Sequence, residues 1–122
     1  MDTIIQCAQR VFAGLGHGHS EAIYHAAMEV ELRQNGISYE REIVVPVHYR
    51  GMFVGSVRLD LIIQKELIVE LKAIASELRA QEKQQLATYI KTMKENYPDQ
   101  TFKGLLINFC TNPAKGLETF EL

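Results

Sequence analysis

The chain has 122 residues, 47% of them apolar and 23% charged. That length and balance suit one folded domain, residues 1–122, with a single core, and exclude a disordered or fibrous chain. The formal net charge of −2 argues against a dedicated nucleic-acid coat, which carries a clear basic excess, but leaves room for a local basic groove.

Met1-Asp2-Thr3 lacks a basic leader region and no long apolar run follows it, so no signal peptide is expected. No stretch approaches the roughly 20 apolar residues of a membrane span. Cys7 and Cys110 lie far apart, one in a helical pattern and one at the end of a buried-strand pattern. Reduced, packed thiols are expected of them, and a soluble intracellular protein, cytoplasmic or nuclear.

Ile4, Ala8, Val11, Phe12 and Leu15 recur at helical spacing and predict a first amphipathic helix, stopped at Gly14-Leu15-Gly16-His17-Gly18. Ser20 is placed to cap a second helix, which carries Ile23, Tyr24, Ala27, Val30 and Leu32 and ends at Asn35-Gly36. Ile37 to Tyr49 reads as a strand, with Pro46 putting part of it at an edge or a bulge. Arg50-Gly51 turns the chain into a second strand, Met52 to Ile63, and Leu67 to Ala73 forms a third. A long helix is predicted from about Ser76 to Tyr97, with Leu78, Leu86, Ile90, Met93 and Tyr97 on its apolar stripe. Lys103 to Phe109 is nearly all apolar, the pattern of an interior strand, and Leu117 to Leu122 adds a last edge strand. The order ααβββαββ implies an α/β fold, a mixed sheet flanked by helices.

Three charges interrupt the apolar strands: Asp60, Glu70 and Lys72. Buried charge is costly unless something pairs with it. Alternation along a strand puts Glu66, Ile68, Glu70 and Lys72 on one face and Leu67, Val69, Leu71 and Ala73 on the other. In the preceding strand, Val57, Leu59, Leu61 and Ile63 are expected to share one face, and Ser56, Arg58, Asp60 and Ile62 the other. A hairpin centred on Lys65 then sets Asp60 opposite Glu70, with Cβ atoms roughly 5 Å apart, and Arg58 opposite Lys72. A register slipped by one would mix the faces. Two opposed carboxylates repel, and a hard divalent cation between them reverses the sign. The competing arrangement is a structural salt bridge from Lys72 to Asp60 or Glu70, which leaves one carboxylate in excess.

Other polar residues admit milder explanations. Glu21 in a first helical turn interacts favourably with the helix dipole. Gln85 and Tyr89, four apart, share a helix face and read equally as a polar flank of the core. His17, His19, His25 and His48 do not have the spacing of a zinc site, and His17 and His19 sit in a glycine turn where solvated side chains are expected. Gly14, Gly16 and Gly18 are no phosphate loop, since they follow a helix and lack the Lys-Ser/Thr. Arg79, Lys83, Lys91 and Lys94 either line a backbone-tracking groove or are the solvated side of their helix.

The spacing Asp60…Glu70-Leu71-Lys72 resembles the PD-(D/E)xK nuclease superfamily. Gly18-His19-Ser20-Glu21-Ala22-Ile23-Tyr24 also resembles the G-x-x-E-x-x-Y signature of one branch of it, the GxxExxY proteins. Arg58-Leu59-Asp60, Val69-Glu70-Leu71-Lys72-Ala73, Gln85-Leu86 with Tyr89, and Gly104-Leu105-Leu106-Ile107-Asn108-Phe109 follow in the same order, so the resemblance covers nearly the whole chain. His17 departs from the proline common there, and Lys94 to Thr101 is longer than the usual connection.

The resemblance implies a restriction-endonuclease-like fold and a metal-dependent nuclease acting on nucleic acid, most naturally DNA. Asp60 and Glu70 would hold Mg²⁺ or Mn²⁺, joined by the backbone carbonyl of Leu71 and by Glu21 directly or through water. Lys72 would orient the attacking water or stabilise charge developing on the phosphate. Gln85, Tyr89 and Arg58 would position Lys72 or the phosphate backbone. Domains of this size in the superfamily also form homodimers that present two sites. The competing class is a binding or assembly module that keeps the nuclease fold without turnover.

Overall fold

A computed structural model describes residues 1–122. The elements follow the expected order: α1 (Asp2–Leu15), α2 (Glu21–Gln34), β1 (Tyr39–Tyr49), β2 (Met52–Ile63), β3 (Leu67–Lys72), α3 (Ala80–Asn96), β4 (Lys103–Asn108) and β5 (Glu118–Glu121). The strands form one mixed sheet in the order β1-β2-β3-β4-β5. β3 and β4 are parallel, with α3 as their crossover, and the other neighbours are antiparallel.

Two apolar layers cover the sheet. On one side α1 and α2 pack Ile4, Cys7, Val11, Tyr24, Met28 and Leu32 against Leu61, Ile63, Val69, Leu71, Ile107 and Phe109. On the other, α3 packs Leu86 and Met93 against Leu59, Ile62, Ile68 and Leu106. Buried on both faces, β3 and β4 need the near-continuous apolar runs that the sequence supplies. Gly104 lets α3 come close: a Cβ there would lie 2.7 Å from Ile90 Cδ1 and 3.0 Å from Leu86 Cγ. Cys7 and Cys110 are buried and free. No helix is long and apolar enough to cross a membrane.

Two sequence expectations change. The third helix starts at Ala80, not near Ser76. Glu82 accepts the Arg79 backbone N–H at 3.2 Å and its guanidinium Nε at 2.8 Å, which fixes the helix start. The preceding segment is drawn to the sheet instead. The Asn108 side chain accepts from Ile74 N–H at 3.1 Å and donates to the Ser76 carbonyl at 3.1 Å, and Leu78 N–H donates to Glu118 Oε1 at 2.8 Å.

The second change is in β2. Leu61 and Ile63 do face α1 and α2, but Leu59 and Val57 pack on the α3 side. The strand therefore changes layer between Leu59 and Leu61. The β1–β2 ladder pairs Arg41 with Leu61 and Ile43 with Leu59. Between them lie Asp60 and Glu42, whose φ of 49° is left-handed. Such a residue kinks a strand, and the kink turns its alternation over.

Candidate active site

Asp60 sits at that kink, and the β2–β3 ladder ends beside it. The register is the one centred on Lys65: Leu61 pairs with Val69, Ile62 with Ile68 and Ile63 with Leu67. One step further, side chains replace the ladder. Asp60 N–H donates to Glu70 Oε1 at 3.1 Å, and Leu71 N–H donates to Asp60 Oδ2 at 2.8 Å. The two carboxyls are thus tied to each other's strands at the point where the strands part. Arg58, expected opposite Lys72, lies beyond the end of this ladder. There β2 pairs with β1, and Arg58 is opposite Val44.

Glu70 is only 4% exposed. Burial, and then the negative charge of Asp60, push its carboxyl up to about 9. Lys72 is close enough to oppose that shift, but it forms no ion pair with either carboxylate. Its Nζ donates to Gln85 Oε1 of α3 at 2.9 Å. The structural salt bridge considered from the sequence is therefore absent, and the carboxylate pair has no cation of its own.

Glu21 opens α2 and shares a cleft of about 450 Å³ with Asp60 and Arg58. As a residue it is exposed, yet its carboxyl is partly desolvated against the cleft wall. That desolvation and the Asp60 charge push it up, while Lys72 and His25 oppose. From α3, Tyr89 is raised first by burial and then by Glu70 and Asp60. The structure thus brings Glu21, Asp60, Glu70, Lys72, Gln85 and Tyr89 into one neighbourhood, with Arg58 on the cleft side of Asp60.

The donor set fits a hard cation. All the carboxyl donors are oxygen, and Glu21, Glu29, Glu42 and Asp60 outnumber Arg41 and Arg58 around the cleft. No three His, Cys, Asp or Glu side chains stand close enough together to hold a metal ion by themselves. An ion that retains several waters and takes one or two carboxylates suits such a set better than one enclosed by protein.

With this geometry goes a family model. The PD-(D/E)XK nuclease superfamily model matches residues 1–120. The chain belongs to the PD-(D/E)XK nuclease superfamily. Two solved structures share the fold of this superfamily member. One is SSO0001, at 24% identity and TM-score 0.59, covering 82% of this chain and 48% of its own. The other is described as a "Putative exonuclease" from Eubacterium rectale, at 15% identity and TM-score 0.57, covering 86% of this chain and 47% of its own. The chain spans about half the length of each. A search of curated proteins finds no match.

The structure also gives parts to residues that the sequence reading left idle. The Tyr24 hydroxyl donates to the Gly16 carbonyl and accepts from His19 N–H at 3.3 Å. It latches the glycine turn that delivers Glu21, with Gly16 and Gly18 at φ 74° and 97°. The spacing of this motif is therefore mechanical: a tyrosine one turn into the helix reaches back over the loop in front of it. His25 and Glu29 continue the Glu21 stripe along α2 at intervals of four and line the same cleft. Glu29 is held by Tyr39 at 3.1 Å and lies 3.6 Å from Arg41 Nη1. That spacing of four was the available signal. Of the basic residues along α3, Arg79 pairs with Glu82, Lys83 covers the Phe120 ring, Lys94 donates to Pro98 and Gln100 carbonyls, and Lys91 is exposed. His17 bonds the Lys115 carbonyl at 2.6 Å.

Proposed function

We propose that this superfamily member is a metal-dependent nuclease that hydrolyses phosphodiesters in DNA, with Asp60, Glu70 and Lys72 as catalytic residues and Glu21 completing the set. The observation that carries the reading is the convergence of two carboxyls whose lysine neighbour is turned to Gln85 instead of neutralising them. Asp60 and Glu70 would hold Mg²⁺ or Mn²⁺, with the Leu71 carbonyl and Glu21 as further ligands. When bound, the ion polarises the scissile phosphate and acidifies the attacking water.

The chain's own groups supply the rest. Gln85 accepts from Lys72 and fixes its ammonium, which is placed to stabilise charge developing on the phosphate. Tyr89, one turn on from Gln85, and Arg58, which lines the cleft with Asp60, orient the phosphate backbone. The Leu71 N–H fixes Asp60 and keeps one of its oxygens occupied, which leaves the other for the ion. Within the superfamily we assign the chain to the GxxExxY branch, on the ordered motifs from Gly18 to Phe109, and to a homodimer that presents two sites.

The second reading, a silent binding or assembly module, is favoured by one observation: no three ligand side chains are pre-gathered. Cleavage assays on single- and double-stranded DNA and RNA with Mg²⁺, Mn²⁺ or chelator separate the two. The nuclease cuts DNA only with metal, and both Asp60→Ala and Lys72→Ala abolish cutting. Activity that persists in both variants sinks the assigned site. Metal binding by calorimetry with no cutting of any substrate establishes the silent module.

A further inference from the structure

Past the helical layers, the hairpin of β1 and β2 runs on alone. Tyr49 is 63% exposed, Met52 69%, Phe53 66% and Val54 60%. Large apolar side chains clustered in the open mark a surface that meets something. Their polar neighbours point to what it is. From Ile43 to Leu59 the chain carries His48, Arg50 and Arg58 and no carboxylate, in a protein whose net charge is −2. The Arg50 guanidinium lies over the Tyr49 ring, 5.5 Å from its centroid. His48 meets Phe53 edge-on with centroids 6.2 Å apart, and because the register opposes His48 to Phe53 and Tyr49 to Met52, this pair stands on the opposite face of the ribbon from Tyr49. Exposed aromatic rings beside a guanidinium, on a stretch free of acids, complement bases and phosphates. Self-pairing along the open edge of β1 is opposed by Pro46, which has no N–H to donate, and by the irregularity between Val47 and His48.

We propose that this hairpin tip is a docking platform for single-stranded nucleic acid that rounds the ribbon, with bases stacking on Tyr49 at one face and on Phe53 at the other and the backbone meeting Arg50 at the turn between them. The proposal rests on the nuclease reading and names the form of its substrate. β2 carries both the tip and Asp60, seven residues from Phe53, on the order of 20 Å along a strand. A single strand laid along that path spans several nucleotides, the scale of known stacking platforms. A duplex keeps its base faces stacked inside and offers the rings nothing comparable.

The test is binding by fluorescence anisotropy, in chelator so that cleavage plays no part, using the full chain with a twenty-nucleotide oligothymidine and a twenty-pair duplex. Tyr49→Ala and Phe53→Ala should each weaken single-strand binding roughly 5- to 100-fold and leave duplex binding unchanged. Phe53→Tyr, which keeps a stacking face, should bind like the parent. Undiminished single-strand binding in both alanine variants overturns the proposal, as does equal loss on both ligands or a parent that prefers duplex. Alanine variants that change only the oligomeric state, read by sedimentation, reassign the tip to self-association. A parent that binds no oligonucleotide defeats the nuclease reading itself.

Discussion

Glu70→Gln should stabilise the metal-free protein at neutral and alkaline pH while removing its response to divalent metal. Glu70 is buried against Asp60, and its pKa rises from 4.5 to about 9. The folded state therefore keeps a proton that the unfolded state releases. Glu70's contribution to stability is most favourable below the unfolded value and is lost progressively as the pH climbs toward the folded one. Each unit of pH in that window costs about 1.4 kcal/mol, so near pH 7.5 the total is at most about 4 kcal/mol. Glutamine has the same shape, accepts the Asp60 N–H through its carbonyl, and has no proton to retain. For a domain of this size one kcal/mol moves Tm by about 4 °C, so the variant should melt roughly 5–15 °C above the parent near pH 8, with the gap closing near pH 4.5. Scanning calorimetry in chelator across pH 4.5 to 9 reads both curves. Added Mg²⁺ displaces the proton from the parent and raises its Tm most at high pH; the variant should not respond. A gap independent of pH, or a variant less stable than the parent at pH 8, refutes the claim that Glu70 is the strained member of the pair.

Two further substitutions probe how the site is held. Gly104→Ala puts a methyl group within 2.7 Å of Ile90 and 3.0 Å of Leu86, so overpacking should cost about 1–3 kcal/mol. A denaturant midpoint equal to the parent's would mean that α3 shifts freely over the sheet. Tyr24→Phe removes the hydroxyl that closes the turn before Glu21 and leaves the part-buried Gly16 carbonyl short of its donor, a loss of about 0.5–1.5 kcal/mol. Metal affinity by calorimetry should fall with it, since Glu21 loses its fixed approach; unchanged affinity in the folded variant would detach Glu21 from the metal.

The register of the β2–β3 hairpin was legible because apolar side chains that must share a layer admit only one pairing. Ile68 belongs with Leu106 and Val69 with Leu61, and a slip of one residue would exchange them. The interior position of β4 and the edge position of β5 were legible for the same reason, in the contrast between KGLLIN and ETFE. The layer change in β2 was not. Alternation assumes a regular strand, and nothing local to Leu59 or Leu61 announces that Glu42, on the neighbouring strand, adopts a left-handed φ. The start of α3 was misread because Leu78 has the right spacing for the helix stripe and is indeed buried in the same cluster. It reaches that cluster from a connection pinned by Asn108 and Glu118, residues thirty or more positions away. The latch by Tyr24 was hidden because an apolar-stripe reading counts the ring and ignores the hydroxyl.

The kink that defeated simple alternation also explains why the site is where it is. A regular β2 would have continued its ladder with β3 past Leu61, and Asp60 and Glu70 would then face each other across a closed pair, shut between layers. At Asp60 the strand instead turns over and leaves β3 to follow β1 outward. The backbone groups freed by this parting are taken up by the carboxylates themselves, Asp60 N–H by Glu70 and Leu71 N–H by Asp60. Each carboxyl thus keeps one oxygen committed to holding the fork open. The fork lets Glu21 reach the pair from the α2 side while Lys72 and Gln85 stand on the α3 side. The carboxylates that looked costly in an apolar strand thus take up the backbone N–H groups left free where the strand pairing ends, and Asp60 at that point lines the cleft beside Glu21.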